Sequence, residues 1–273
     1  MINKWYGDGK ECGRVYNSDG IVIDVFNSLL YLRVNPSNNL NEVYDNFGLK
    51  EWRGNVFGVE GVKNREGKES YQMFKGNEGE MICEENGINY NLRFGDGFST
   101  GLFLDTSNLR KYVGGLEGRT LNLFSHANAI SIASSSSRGG VNVDLSSKYF
   151  DLGVKDDWKN IEDDVWEYCK RKKGKEIFEV VVCDPPSSSV GKKRRWSTIK
   201  DYPELITHLS PLTSSNGLLI LCSNTKKQTY DEFYKQCKKG LEISGRKGEV
   251  EKVIGTEWGW WREGVKCLVW RLD

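Results

Sequence analysis

Over the first hundred residues the hydrophobic and polar positions alternate in short runs, and after Thr120 the pattern changes. IVIDVF (21–26) and LLYLRV (29–34) are β-rich runs separated only by Asn27-Ser28, which predicts a hairpin. Next, Leu40, Val43, Tyr44 and Phe47 recur at the spacing of one helix face. VFGVEGV, the charged turn KNREGKES and short strand-like pieces through MICEENGINYNLRF follow. These elements predict a small α+β domain over residues 1–95, with one helix crossing a curved sheet. On its own the turn holding Lys63, Arg65 and Lys68 reads as a solvated loop able to touch phosphate.

From residue 96 onward a second domain is predicted. A basic amphipathic helix covers Asn108 to Val113, and LNLF (121–124) begins a series of apolar strands, each followed by a loop and helix. AISIASSSS is the first such helix, weakened by serines that compete for backbone hydrogen bonds. VNVDLS is the second strand, ending in Asp144, a residue that suits a ribose hydroxyl pair or a helix cap. EVVVCDPP and GLLILCSN are buried strands, with helices expected at DDVWEYCKRK, LITHLSPL and TYDEFYKQCKKG. The final hairpin is expected to close the sheet with KCLVWRL. In such an open α/β sheet a nucleotide-like ligand sits at the turn after the first strand.

Composition narrows the chemistry. A net charge of +1 gives no global field for nucleic acid, so any such contact needs a local cluster. KKRR, Lys192 to Arg195, is one such cluster, followed by Trp196; alone it reads as a solvated loop. RKKGK at 171–175 reads as a helix C-terminus. Seven cysteines lie scattered without CxxC or Cys/His spacing, which argues against zinc and against a disulfide framework, and for a reducing compartment. Two histidines, His126 and His208, make a Ser-His-Asp triad an unfavourable reading, and no metal site is expected. No strand is followed by GxGxxG, which disfavours an NAD-binding protein. No apolar run approaches a membrane span, and MINKWYGDGK has the look of neither a signal nor a transit peptide.

TGLFLD (100–105), the following N-L-R-K, LNLFS, V-x-VD-x-S, VCDPP and a strand ending in SN-x-K occur together and in order. With these motifs the chain resembles the class I S-adenosylmethionine-dependent methyltransferases of large-subunit ribosomal RNA. The resemblance runs in particular to the K-type half of the bacterial K/L enzyme, which methylates guanine N7, and it covers roughly residues 12 to 273. It implies a Rossmann-like methyltransferase sheet with an antiparallel last strand, preceded by the small α+β domain. S-adenosylmethionine is the cofactor implied. The loop containing Ser125, His126 and Asn128 would hold its methionine end, Asp144 its ribose and Asp164 its adenine, with Arg110 a further contact. Asp184, Pro185 and Pro186 would face the target base, with Asn224 beside them. Lys192, Lys193, Arg194 and Arg195 would form a rim for RNA, with Trp196 able to stack. Guanine N7 carries its own lone pair, so positioning would be the main catalytic demand, after the base has left its stack.

Four departures from the family pattern fall on those sites. His126-Ala127-Asn128-Ala129 replaces Tyr-Thr-Gly-Ser, placing a side chain where glycine lets the backbone approach a ligand. Thr106-Ser107 follows TGLFLD where the family has His-Arg or Gln-Arg. KDDWKNIEDD does not read as a buried parallel strand, so the sheet is expected to be shortened, its third strand the candidate for loss. Ser187-Ser188-Ser189 stands where an aromatic ring follows DPP. These departures favour a methyltransferase fold kept for binding large-subunit rRNA. Its place would be a structural or assembly component among ribosomal proteins, in a mitochondrial or other organellar ribosome, with cofactor binding lost. The alternative is an active rRNA guanine-N7 methyltransferase. A cysteine-nucleophile C5 reaction is disfavoured, because Asn224 occupies the reactive zone; Cys222 and Cys183 read as strand packing.

Overall fold

The structure, a computed structural model, describes residues 12–35, 37–60, 70–95, 97, 99–190, 195–225, 227–255 and 265–273. The chain divides into two compact units, residues 1–104 and 105–273.

In the first unit β1 (Cys12–Ser18), β2 (Ile21–Phe26) and β3 (Leu29–Val34) form an antiparallel meander. The expected hairpin at Asn27-Ser28 is present, with Asn27 at φ 52°, a left-handed conformation asparagine tolerates well. α1 (Leu40–Asn46) is capped by Asn39, whose side chain accepts from the Asn41 and Glu42 backbone N–H groups. It crosses to β4 (Asn55–Glu60), which pairs parallel to β3, and β5 (Ser70–Lys75) completes the order β1-β2-β3-β4-β5. The apolar face of α1, Leu40 and Val43, packs with Ile23, Leu30, Leu32, Trp52 and Val56. β6 (Gly79–Glu85) and β7 (Ile88–Phe94) form a separate hairpin around Asn86-Gly87, both at positive φ as a tight two-residue turn demands. The basic turn residues Lys63, Arg65 and Lys68 lie outside the described residues.

The second unit begins with α2 (Ser107–Gly114) and β8 (Thr120–Leu123). α3 (Ala129–Ala133) is a single short turn of helix. The serines after it take up loop carbonyls instead of extending it: Ser136 Oγ donates to Gly118 O at 2.9 Å. β9 (Gly140–Asp144), β10 (Trp158–Glu162), α4 (Val165–Lys172) and β11 (Phe178–Cys183) follow. A small ribbon of β12 (Ser188–Val190) and β13 (Arg195–Ser197) precedes α5 (Thr198–Leu209). β14 (Thr213–Ser223), α6 (Tyr230–Ser244), β15 (Gly248–Ile254) and β16 (Lys266–Leu272) complete the unit.

The seven strands run in the order β10-β9-β8-β11-β14-β16-β15. All are parallel through β14, and β16 is antiparallel to both its neighbours. Two expectations are corrected. The third strand is present: Trp158 to Glu162 pairs in full register with Gly140 to Asp144. It lies at the sheet edge, where only Trp158 is buried and Ile161 partly so, and lysine, asparagine and glutamate remain solvated. KCLVWRL does not close the sheet at its edge either; it inserts between β14 and β15, and β15 forms the edge.

Alternation divides the core between the two sheet faces. Val181, Cys183, Leu219 and Leu221 pack against α4, α5 and α6, while Val180, Val182, Ile220 and Val269 pack with Leu109 and Val113 of α2. α6 opens with a reciprocal cap: Thr229 Oγ1 accepts from Glu232 N at 3.2 Å, and Glu232 Oε2 accepts from Thr229 N at 2.7 Å. Thr229→Ala is expected to lower the melting temperature by about 2–4 °C, checked by differential scanning calorimetry.

Candidate active site

Strand order reverses between β8 and β11, so their carboxyl ends open the crevice where ligands bind in open α/β sheets. The turn leaving β8 is under backbone strain. Phe124, His126 and Asn128 have φ of 59°, 48° and 61°, a left-handed conformation unusual for side-chain-bearing residues and an outlier for a bulky aromatic. Such strain persists only where surrounding contacts over-determine it, and it gathers at binding and catalytic sites. Here the contacts come from β9. Ser125 N donates to Val143 O at 3.1 Å, and His126 N to Asp144 Oδ2 at 2.9 Å. Asp144 Oδ1 accepts from Ser146 N at 3.0 Å. Each carboxylate oxygen therefore keeps a lone pair for a ribose hydroxyl. The His126 ring lies on Tyr149 with centroids 4.7 Å apart, and burial lowers its pKa against the opposing pull of Asp144, favouring neutral imidazole.

Asn128 is fully buried, and its side chain does not behave as its replacement of a glycine predicted. Nδ2 turns towards the body of the unit, donating to Gly153 O at 3.1 Å, Phe150 O at 3.3 Å and Asn160 Oδ1 at 3.2 Å. The room comes from Gly153, where a Cβ would fall 2.6 Å from Asn128 Cβ and 2.3 Å from Ala127 O. The side chain at 128 is thus accommodated by a glycine opposite it. Asn160 also accepts from Asn142 Nδ2 at 2.9 Å, and Asn142 Oδ1 from Asn122 Nδ2 at 2.8 Å. A row of amides in register thus crosses β8, β9 and β10 beneath α3, whose Ser131 Oγ accepts from Asn142 Nδ2 at 3.1 Å. Ser125 Oγ and Asn128 Oδ1 are buried with no hydrogen-bond partner among the described residues. Unsatisfied polar atoms in a strained turn at the switch point fit a polar ligand.

Asp164, expected near adenine, is the N-cap of α4: its Oδ1 accepts from Trp166 N at 2.9 Å and Glu167 N at 3.2 Å. Oδ2 takes no part in that cap. Arg110 was expected to contact cofactor. It is instead buried, with Nη1 donating to Thr106 Oγ1 at 2.7 Å, and its charge acts on Asp184.

At the end of β11, Asp184 is half-buried and its pKa is pushed up to about 7. Desolvation is the main cause, the Asp105 carboxylate adds to it, and Arg110 opposes both. Asp105 is the last residue of the TGLFLD motif, and only the fold brings its charge to bear on Asp184. Asn224 meets the loop that follows Asp184: Ser187 Oγ lies 2.5 Å from Asn224 Oδ1. Tyr202, which no sequence signal marked, holds the two strand ends together, its hydroxyl 2.7 Å from Cys222 O and 3.3 Å from Cys183 O.

Trp196 is not a stacking platform. It is 5% exposed, its Nε1 donates to Pro186 O at 2.6 Å, and its ring packs 5.0 Å from Trp166. It therefore shapes the DPP loop from behind. Arg195 is exposed, while Lys192, Lys193 and Arg194 lie outside the described residues. Cys222 is buried against Cys267 and its pKa is raised by burial, the properties of a packing residue and not of a nucleophile. Among the described residues no group of three or more His, Cys, Asp or Glu is placed to hold a metal, and no helix is long and apolar enough to cross a membrane.

No family model matches the chain. It is 31% identical over 176 residues to the candidate ribosomal RNA large subunit methyltransferase YwbD of Bacillus subtilis (strain 168), covering 58% of this chain and 44% of that protein. It is 25% identical over 265 residues to ribosomal RNA large subunit methyltransferase K/L of Marinomonas sp. (strain MWYL1), covering 86% of this chain and 37% of the other. The chain thus spans less than half the length of either relative. In fold it is similar to SMU.776, a candidate methyltransferase crystallised with SAH. The TM-score is 0.82 at 22% identity, covering 99% of this chain and 77% of that one.

Proposed function

We propose that this chain, a relative of the class I S-adenosylmethionine-dependent large-subunit rRNA methyltransferases with their Rossmann-like fold, is itself an RNA methyltransferase. The substrate inferred is a guanine N7 of large-subunit rRNA. The observation that carries the reading is the strained turn Phe124–Asn128, with its buried unsatisfied Ser125 Oγ and Asn128 Oδ1 beside Asp144. A turn released from ligand binding gains nothing by keeping three non-glycine residues at positive φ. Two of the four departures from the family pattern also lose their force, since Asn128 turns inward and the third strand is present.

S-adenosylmethionine, when bound, supplies an electrophilic methyl on a sulfonium. Ser125, His126 and Asn128 would hold its methionine end, Asp144 its ribose hydroxyls, and Asp164 its adenine through the oxygen not used in capping α4. Asp184 carries a proton about half the time near neutrality. Protonated, it donates to an acceptor such as guanine O6; ionised, it accepts from an exocyclic amine. Pro185, Pro186 and Asn224 frame the base. Since N7 has its own lone pair, no residue need remove a proton before attack, and orientation supplies most of the acceleration.

The test is calorimetric titration with S-adenosylmethionine, then transfer of labelled methyl to unmodified large-subunit rRNA. Micromolar binding and label in guanine are expected. Absence of cofactor binding at millimolar concentration overturns the reading. A second reading, an inert RNA-binding component of an organellar ribosome, draws on Ser187-Ser188-Ser189, which offers no ring for the base, and on the Ser187–Asn224 bond across the strand ends. RNA binding without cofactor binding or transfer would select it.

A further inference from the structure

A chain of side-chain amides runs between the two loops that flank the base site. It starts in α5, where Pro203 lies inside the helix. Proline has no N–H, so Ile199 O loses its α-helical donor. The donor comes from α6 instead: Gln236 Nε2 lies 2.6 Å from Ile199 O and 2.9 Å from Thr198 O. Carbonyls only accept, which fixes the orientation of every link that follows. Gln236 must present its amine to α5 and its Oε1 to Gln228, whose Nε2 donates to it at 2.7 Å. Gln228 Oε1 is then left to accept from Ser223 Oγ at 3.2 Å. Gln228 is 6% exposed, and Ser223 and Thr198 are fully buried.

Both ends of the chain stop beside the base site. Ser223 immediately precedes Asn224. Thr198 N donates to Ser187 O at 3.0 Å and Thr198 Oγ1 to Pro186 O at 3.1 Å, so the other end grips the DPP loop. Tyr202 bridges the same two strand ends at Cys183 and Cys222. That single hydroxyl sets how far apart the strands lie but leaves the loops beyond them free to pivot. A second tie, further along both segments, removes that freedom. Apolar side chains would pack α5 against α6 without defining the spacing, whereas a fully paired polar chain specifies one arrangement.

We propose that Gln228 and Gln236 are positioning residues for methyl transfer; the inference rests on the RNA-methyltransferase reading. The chain Ile199–Gln236–Gln228–Ser223 sets the spacing of Asp184-Pro185-Pro186 against Asn224, and with it the alignment of the flipped base with the methyl. Both glutamines act through Thr198 and Ser223.

The experiment uses the full chain and compares Gln236→Met, Gln228→Met and the double variant, which keep length and bulk but break the amide chain. Single-turnover transfer to unmodified large-subunit rRNA, at saturating substrates, is expected to fall about 10-fold in each. The double variant should be no slower than either single one, because one broken link opens the whole chain. KM for RNA and affinity for SAH should hold, since the residues assigned to the cofactor lie after β8, at the end of β9 and at the start of α4. Unchanged SAH affinity also confirms that the variants fold. In the unliganded protein the side-chain amide resonances of Asn224 should shift in Gln236→Met, while the backbone amide of His126 does not. An unchanged rate, additive losses in the double variant, or SAH affinity falling in step with rate would each overturn the proposal. Should a glutamine variant not fold, Ser223→Ala removes only the terminal hydroxyl and must still slow transfer; a wild-type rate there overturns the proposal as well. Wild-type protein that neither binds SAH nor transfers methyl overturns the methyltransferase reading itself, and the Asn224 resonances then decide alone whether the chain couples the two loops.

Discussion

Asp184→Asn is expected to abolish most methyl transfer while making the protein more stable at pH 8. The two effects have one cause. A carboxyl titrates near 3.9 in the unfolded chain, and the folded protein raises that of Asp184 to about 7 by desolvation and the Asp105 charge. The native state therefore binds more protons than the unfolded state between those values. The stability from this group is complete below the unfolded pKa and is lost as pH rises through about 7. Asparagine never ionises. Its advantage should already be about a third of its full size at pH 5, one unit above the unfolded pKa, and largest at pH 8, about 1–2 kcal/mol after allowing for partial exposure, or about 3–6 °C in melting temperature. Transfer should fall on the order of 100-fold, as for loss of a group that holds the base in line with the methyl. Melting curves at the two pH values and single-turnover transfer rates test both halves. Equal stabilisation at pH 5 and pH 8 would show that the carboxyl is not desolvated.

Asn142→Ala should be strongly destabilising. Asn142 accepts from Asn122 and donates to Asn160 and Ser131, so truncation takes a partner from polar groups on β8, β10 and α3, of which Asn160 and Ser131 keep their bonds to Asn128. Asn122 and Ser131 are both buried and cannot turn to water. A loss of about 2–4 kcal/mol is expected, measured as the shift in urea midpoint at constant slope. SAH should also bind more weakly, because Asn160 helps seat Asn128 in the strained turn. Asn160→Ala separates the two consequences. Asn160 is at the exposed edge, so its loss should weaken SAH binding with a smaller change in midpoint.

Legibility of the fold tracked how directly each element's identity is written in local pattern. The hairpin around Asn27-Ser28 has β-rich runs broken only by Asp24 and Arg33, and the strand before Asp184 is a buried apolar run, so local pattern predicts both. β10 was missed because an edge strand needs few apolar residues; WKNIE offers two, without alternation. At the candidate site, DPP and Asn224 were readable as motif, and their meeting through Ser187 follows from adjacent parallel strands. The inward turn of Asn128 was not readable. It depends on Gly153, 25 residues away, and on asparagines that share a face only once three strands are in register. Trp196 was misplaced for a related reason: following a basic run makes an indole look exposed, while tertiary packing against Trp166 buries it.

The insertion of β16 between β14 and β15 has a consequence for biosynthesis. While the nascent chain is still being extended, β14 has no partner on one side and β15 has none at all, since both await Lys266–Leu272. Leu218 to Ser223, among the most apolar segments of the sheet, is thus left with an open edge until the last strand clears the exit tunnel. At translation speeds of about 5–20 residues per second this exposure lasts seconds, long enough for intermolecular strand pairing or chaperone capture. Vectorial folding can complete the first unit, but the second must wait for its final seven-residue strand.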